Sequence, residues 1–517
     1  MTGWDIHNEY YFASLVQSES YWNPALPFTY NSMLSVVMLA PIISEVCNLN
    51  LVWVFKIIYP ILFSLVPVGL YELFKKKTNA SIAFLSSFFF MASYVYYQEM
   101  TQIARQEIAS IFLVLLLLLI VEKNWPTKIR NVLFFVFCAS LVISHYGLSY
   151  FFLFALSLTW VILKLTESKK LQTLISRLVR RPALSKRANN LTVAKSDGNS
   201  LVAVWSILFF AVVTFTWYYL VSSSTPLFEF IDIVNHIFSS FLVQFINPDA
   251  SQGLAILVTQ QGLFFHLLNK GLFLLFQFFI VAGFFWAVLH ERFTKFSREY
   301  LTFSFVCLVV ALACVAVPYF SDALNASRLY LITLFFLAPF AILGFLVLLE
   351  KVSNLMKLKV TSKIGLMFLS ALLALFLLFN SGFVYEVTQD NPTSMSLNNS
   401  LDYPRFSDAE VEAARWMAFQ SSQYPFNVTV YADFYGRTIL SEFTFWNLDT
   451  FWGDTERLPP HSFVFLRKEN LNGTIMTAYV EYPDSEPFEN SVFATSALTQ
   501  SIQIYDDGDA QGYWLIP

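Results

Sequence analysis

Charge is what this chain has least of. Aspartate, glutamate, lysine and arginine make up 13% of its 517 residues, against about a quarter in a soluble globular protein. So few charges cannot clothe an ordinary water-facing surface, and no part of the chain reads as a nucleic-acid interface. The net charge of −4 decides nothing, because the two signs are segregated along the chain. Cysteine is scarce as well: Cys47 lies near one surface, Cys138, Cys307 and Cys314 lie inside apolar runs, and none follows. No disulfide framework or zinc site can be built from that spacing. The middles of the apolar runs are almost free of ionisable residues, which argues against a transporter, where charges at bilayer depth persist for function.

What the chain has instead is apolar and aromatic. Hydrophobic residues reach 56%, aromatics 18%, and phenylalanine alone occurs 56 times, a composition suited to a helix bundle with interfacial aromatic belts. Runs of spanning length fall at about 51–71, 80–97, 105–121, 130–144, 148–164, 201–221, 271–289, 299–317, 329–349 and 363–381. The expected fold is therefore an all-α membrane bundle of about ten helices, followed by a C-terminal extracytoplasmic α/β domain. The short runs 130–144 and 148–164, split by Ser144-His145-Tyr146-Gly147, read either as a tight helical hairpin or as one bent element.

Basic residues in short loops set orientation. With Lys75, Lys76 and Lys77 assigned to the cytoplasm, alternate loops collect Lys123, Lys128 and Arg130; nine basic residues from Lys164 to Lys195; Arg292, Lys295 and Arg298; and Lys351, Lys357, Lys359 and Lys363. That is 22 of the 32 basic residues. The opposite loops hold only Arg105, Lys270 and Arg328, so both termini are expected outside the cytoplasm of a multi-pass plasma-membrane protein. Segment 165–199 reads as a basic cytoplasmic loop that meets anionic lipid. Segment 226–270 is an outer one. It begins with Phe230, Val234, Ile237, Phe238, Phe241 and Phe245 at helical spacing opposite Asp232, Asn235, Ser239 and Gln244, an amphipathic helix for the outer leaflet.

Three regions follow: an outer loop over 1–50, the bundle over 51–381, and a globular domain over 382–517. In the last, Ser407-Asp408-Ala409-Glu410 is a capping box opening a helix to about Gln420. Val428–Tyr431 and Phe463–Leu466 read as strands. Ile502–Tyr505 and Gly512–Trp514, joined by an Asp-rich turn, read as a hairpin. Glycosylation sequons at Asn325, Asn398, Asn427 and Asn472 fall on the outer side, but others at Asn79 and Asn190 fall inside, so they weigh little.

Polar residues gather at the outer ends of the spans: Asp5, His7 and Glu9; Gln98, Glu99, Gln102, Arg105, Gln106 and Glu107; His145; Asp322 and Arg328. The stretches Gly3-Trp4-Asp5-Ile6-His7-Asn8-Glu9-Tyr10-Tyr11, Tyr30-Asn31-Ser32-Met33-Leu34-Ser35, Ala104-Arg105-Gln106-Glu107, Ser144-His145-Tyr146-Gly147 and Asn325-Ala326-Ser327-Arg328-Leu329-Tyr330 resemble an archaeal family of large membrane proteins. That family is related to the GT-C glycosyltransferases, which include protein mannosyltransferases and oligosaccharyltransferases. The resemblance runs over most of the chain. It implies a polyisoprenyl phosphate sugar donor, a glycan or protein acceptor, and a first outer loop whose leading acid is a base or metal ligand. Asp5, followed by Glu9, matches that position.

The first loop here reads Asp-x-His where oligosaccharyltransferases have Asp-x-Asp, and no Trp-Trp-Asp-Tyr-Gly run occurs. A divalent metal (Mg or Mn, with Asp5 and His7 as its ligands) and a protein acceptor are both left open. The resemblance also implies a span ahead of Gly3-Trp4-Asp5. Glycosyl transfer needs a carboxylate to deprotonate a hydroxyl and cations to receive a departing phosphate. Asp5 and Glu9 are the catalytic candidates, and Arg105, Arg328, Glu99, His145 and His7 the substrate-binding ones. Each has a plainer alternative: a solvated acid, an arginine reaching headgroups, a hydrogen-bonded structural histidine, a helix-capping glutamate. The alternative for the whole chain is a non-enzymatic envelope protein or polysaccharide exporter whose outer domain binds glycan or a partner.

Overall fold

A computed structural model describes residues 3–167, 200–259, 263–290, 296–322, 324–357, 361–397, 406–424, 428–444, 447–476, 485–489 and 491–515. Most of the basic loop 165–199, and the sequons at Asn190, Asn398 and Asn427, lie outside the described residues. The chain divides into two compact units: Asn23–Ser35 with Ile57–Val384, and Met1–Trp22 with Val36–Lys56 and Tyr385–Pro517.

The first unit is helical. Among the described residues of the chain, seven helices are long and apolar enough to cross a membrane: Leu51–Lys75, Ala104–Val121, Tyr146–Glu167, Phe264–Leu289, Arg298–Ala316, Ala326–Leu355 and Ser362–Asn380. Two bent pairs, Ala80–Met91 with Val95–Gln102 and Val204–Leu220 with Ser222–Ser240, raise the number to nine if each is one span. The run read at 130–144 is the helix Thr127–Val142 of 16 residues. It is separate from Tyr146–Glu167, so the two runs are two helices rather than one bent element.

Lipid offers the backbone no hydrogen bonds, which is why helices dominate here. Three buried serine hydroxyls bond back to their own helix: Ser86 to the Ile82 carbonyl, Ser110 to Gln106 and Ser304 to Tyr300.

Polar contacts sort the connecting segments of this unit into two sets. In one, Lys76 pairs with Glu122 at 2.5 Å and Lys123 with Glu299 at 3.2 Å, and Arg298 donates to the Leu163 carbonyl at 3.1 Å. In the other, Ser35 donates to the Ser144 carbonyl, Trp217 to the Ser32 carbonyl, and Gln252 to Asp322. These are the sets that the lysine and arginine counts separate. The segment after Ser224 is the helix Thr225–Ser240. Phe228, Ile231 and Phe238 on it are exposed, as are Phe241, Leu242 and Phe245 beyond it.

The second unit opens with the helix Asp5–Glu19, which packs against Leu39–Cys47 through Gln17 donating to Ser44 and Glu45. Its C-terminal part holds β1 (Val430–Ala432), β2 (Leu448–Thr450), β3 (Phe463–Leu466), a two-stranded pair of β4 (Thr474–Met476) and β5 (Ser485–Pro487), then β6 (Ser501–Asp506) and β7 (Gln511–Leu515). The main sheet runs β2-β1-β3-β7-β6; the first three strands are parallel, and β7 and β6 are antiparallel.

Alternation along the strands sends Val430, Ala432, Phe463 and Phe465 into a core with Ala413 and Met417 of the helix Asp408–Ser422. Tyr431, Val464 and Leu466 go to the other face, with Phe451 and Phe493. Burial on both faces explains why Phe463–Leu466 is apolar throughout. The capping box at Ser407 and Glu410 is present as expected. At the carboxyl ends of β1 and β3, Asp433 and Arg467 form a fully buried two-bond pair at 3.1 and 3.2 Å. Burial alone would raise the Asp433 carboxyl. Arg467, the Gly436 amide and Asn470 outweigh it and hold that carboxyl below its usual range.

In the bundle, Gly283 and Gly344 bring two long helices into backbone contact, the small-residue packing available where lipid supplies no hydrophobic drive. A Cβ on Gly344 would stand 1.9 Å from the Phe279 carbonyl oxygen, whereas one on Gly271 would meet nothing within 4 Å. Gly344→Ala should therefore lower the melting temperature in detergent, at a cost of about 1–3 kcal/mol from overpacking. Gly271→Ala should be neutral or stabilising by about 0.5–1 kcal/mol. Equal effects of the two would refute the close crossing.

Candidate functional site

Among the sequence-selected residues, Asp5, His7 and Glu9 belong to one unit, and Glu99, Arg105, His145 and Arg328 to the other. In the bundle, the chain leaves the helix Ala80–Met91, forms a wide turn over Val95–Glu99 and a tight one over Met100–Gln102, and breaks at Ile103 (φ −141°, ψ 82°). The helix Ala104–Val121 starts there. Irregular backbone of this kind often marks functional positions in helices. Arg105, in the first turn, is buried, with its guanidinium 4.8 Å from the centre of the Tyr30 ring. Beside Tyr30, Thr29 donates to Glu229 at 2.7 Å.

Arg328 stands in the first turn of Ala326–Leu355, capped by the Asn325 side chain, which accepts from the Ser327 amide. The Tyr94 hydroxyl donates to Ser327 at 3.3 Å, tying the segment that carries Glu99 to the start of that helix. Both arginines thus sit where unsatisfied helix amides already favour an anion. A cation in a first turn opposes the helix dipole, and a bound anion would relieve that opposition. Glu99 is half-buried and Glu107 fully buried. His145 serves the fold directly, since its Nδ1 accepts from the Leu148 amide at 3.1 Å and its ring stacks on Tyr146. It caps the helix Tyr146–Glu167.

In the other unit, the Gly3–Tyr11 motif forms the start of the helix Asp5–Glu19. Residues three or four apart share a face of a helix, and residues two apart do not. Trp4 and His7 therefore lie on one face, Asp5 and Glu9 on another. Glu9 is fully buried and Asp5 half-buried.

The Trp4 ring stacks on Phe434 at 5.0 Å and lies under the Arg437 guanidinium at 5.4 Å. His7 is fully buried, its Nδ1 2.5 Å from Glu442 Oε1, and its ring meets the edge of Phe406. Its Nε2 has no hydrogen-bond partner among the described residues. Burial lowers the His7 pKa against the opposing pull of Glu442. Burial also works to raise Glu442, but the bond from His7 prevails and holds it low. At neutral pH the pair is thus a neutral imidazole donating Nδ1–H to a carboxylate. Because the folded value of His7 is depressed, its contribution is whole above the unfolded value of about 6.5. It is lost as pH falls through the folded value.

Asp5 and His7 face different ways, and the Nδ1 of His7 is engaged by Glu442. They do not fit as two ligands of one metal. Sequence reasoning missed Glu442, Phe434, Arg437 and Phe406. They lie about four hundred positions from the motif they touch, with no periodic signal to mark them. Tyr30 lies in the stretch Tyr30–Ser35, which carries no local signal of its contact with Arg105.

The pattern of a family described as "Predicted membrane protein (DUF2206)" matches residues 130–513. No curated protein matches the chain. Among solved structures, the oligosaccharyltransferase of Archaeoglobus fulgidus, tethered with an acceptor peptide containing the NVT sequon, is similar at 13% identity and a TM-score of 0.45; 86% of this chain is covered. The chain spans 59% of the length of that protein. The same oligosaccharyltransferase in complex with Zn and sulfate gives 13% identity and a TM-score of 0.44, over 86% of this chain and 58% of that one. ArnT from Cupriavidus metallidurans bound to undecaprenyl phosphate is similar at 10% identity and a TM-score of 0.34, over 99% of this chain and 94% of that one.

Proposed function

The chain belongs to the DUF2206 family of predicted membrane proteins, and from that premise we propose that it is an inverting membrane glycosyltransferase of GT-C type. It takes a sugar from a polyisoprenyl phosphate carrier at the outer membrane face and passes it to a glycan or protein hydroxyl or amide. The observation that carries this reading is the pair Arg105 and Arg328. They are two of only three basic residues in the loops assigned to that face, and each stands in the first turn of a long helix. Their motifs belong to the GT-C resemblance.

In the step with a hydroxyl acceptor, the Asp5 carboxylate takes the acceptor proton. The acceptor oxygen then bonds to the anomeric carbon from the side opposite the phosphate. The bond from that carbon to the phosphate oxygen breaks, its electron pair leaving on the lipid phosphate. Arg105 and Arg328 offset the charge that develops there, the kind of prearranged stabilisation that carries much of enzymatic rate enhancement. Glu9, one turn on and on the face of Asp5, is the second acid. Both termini lie outside the cytoplasm in this reading, as the lysine and arginine distribution requires.

Two outcomes follow. Asp5→Asn keeps size and most hydrogen bonds but removes the base. Sugar transfer from a polyisoprenyl phosphate donor by the purified variant should fall by a factor of about 10²–10⁴ with an unchanged melting temperature, and full activity would remove Asp5 from the mechanism. For topology, the exposed Cys47 is first replaced. A cysteine introduced at position 75, 76 or 77 should then resist a membrane-impermeant reagent in intact cells, and one near residue 470, at the exposed position of Asn472, should react. The reverse labelling pattern would place the C-terminal domain in the cytoplasm and end the proposal.

A further inference from the structure

The helix that carries Asp5 packs against Leu39–Cys47 and is gripped on a further face by residues of the sheet domain. Trp4 and His7 share the gripped face, and the residues that hold them come from a short stretch far along the chain. Phe434 lies against the Trp4 ring at 5.0 Å, Arg437 stands over it at 5.4 Å, and Glu442 accepts from His7 Nδ1 at 2.5 Å. Phe434 and Arg437 lie on the helix Phe434–Leu440 and Glu442 just past its end. That helix is itself fixed. Its N-cap is Asp433, whose carboxylate accepts from the Gly436 amide at 2.7 Å and is locked by Arg467 and Asn470. Together with Leu39–Cys47, a rigid element of the sheet domain therefore constrains the rotation of the N-terminal helix about its axis. Asp5 and Glu9 occupy a different face of that helix, so their direction follows from how Trp4 and His7 are held.

We infer that Glu442, Phe434 and Arg437 are positioning residues that act through His7 and Trp4 to aim Asp5 and Glu9. The inference rests on the functional reading above. It gives Glu442 a role unlike that of a surface acid: its carboxylate takes the Nδ1 hydrogen, fixes one tautomer of His7 and holds the ring by a charge-assisted bond, roughly twice as strong as a neutral one. Placement of a reacting group matters steeply, since an error of about 1 Å can cost about 10²-fold in rate.

The test uses the full-length protein in detergent, with transfer kinetics for Glu442→Ala, Glu442→Gln, Asp5→Asn and the double variant Glu442→Ala/Asp5→Asn. Glu442→Ala should lower kcat by about tenfold to 10²-fold with the KM for donor within about twofold, because donor binding is assigned to other residues. Glu442→Gln retains an oxygen that accepts from Nδ1–H and should recover most of the loss. In the double variant Asp5→Asn should cost much less than it does alone, since a misdirected acid has little left to lose; such coupling is what a double-mutant cycle reads.

If Glu442→Ala fails to fold, Glu442→Gln and Arg437→Met carry the same comparison. A tether that only stabilises the fold would lower the melting temperature while leaving kcat unchanged or the two effects on kcat additive, and either result overturns the inference. Absence of transfer by the unaltered protein would instead overturn the functional reading, and the inference with it.

Discussion

Hydrocarbon cannot hydrogen-bond, and the bundle is organised around that fact. Every backbone amide and carbonyl at membrane depth must be satisfied within its own helix, so the spans are long, apolar and nearly without charge. Some polar side chains that remain inside bond back to the preceding turn, as Ser86 and Ser304 do. Irregular backbone is tolerated at helix ends. The break at Ile103 ahead of Arg105 and the positive φ of Asn325 ahead of Arg328 are two instances. The same constraint explains the glycine crossing: with no solvent to drive helices together, close backbone approach supplies the attraction.

Outside the bundle the rules are those of a water-soluble domain. The parallel strands β1 and β3 bury both faces, and their polar ends are closed by one buried ion pair, Asp433 with Arg467. Removing one partner of such a pair leaves a buried charge uncompensated, so the pair fixes where the helix Phe434–Leu440 begins. Its consequence reaches the N-terminal motif, because Phe434, Arg437 and Glu442 are what Trp4 and His7 rest on.

Local signals were legible in the sequence, and long-range ones were not. All but one of the runs marked by hydropathy correspond to helices or bent helix pairs long and apolar enough to span, since length and apolarity are summed over many residues. The exception, Thr127–Val142, falls short at 16 residues. Alternating lysine and arginine separated the loops into the two sets that Lys76–Glu122 and Ser35–Ser144 now exemplify. The capping box at Ser407, the strand Phe463–Leu466 and the hairpin β6–β7 each carried a local pattern. Nothing local announced that residues 1–50 contain the helices Asp5–Glu19 and Leu39–Cys47. Nor did anything suggest that His7 bonds an acid 435 residues away. Of the site candidates, Arg105 and Arg328 stand at helix starts, while His145 is engaged as a cap. Its role could not be told from sequence, because a capping histidine and a ligand-binding one are spelled alike.

The claim on which the account depends is that the outer-face arginines receive a lipid-linked phosphate, and binding measures it without any knowledge of sugar or acceptor. The purified protein, with a short-chain polyisoprenyl phosphate as probe, should show saturable binding that the matching unphosphorylated alcohol does not reproduce. Arg105→Ala and Arg328→Ala should each weaken that binding by about tenfold to 10²-fold, the range expected when a hydrogen bond to a charged group is lost. Equal binding of phosphate and alcohol, or affinity untouched in both variants, would contradict the account.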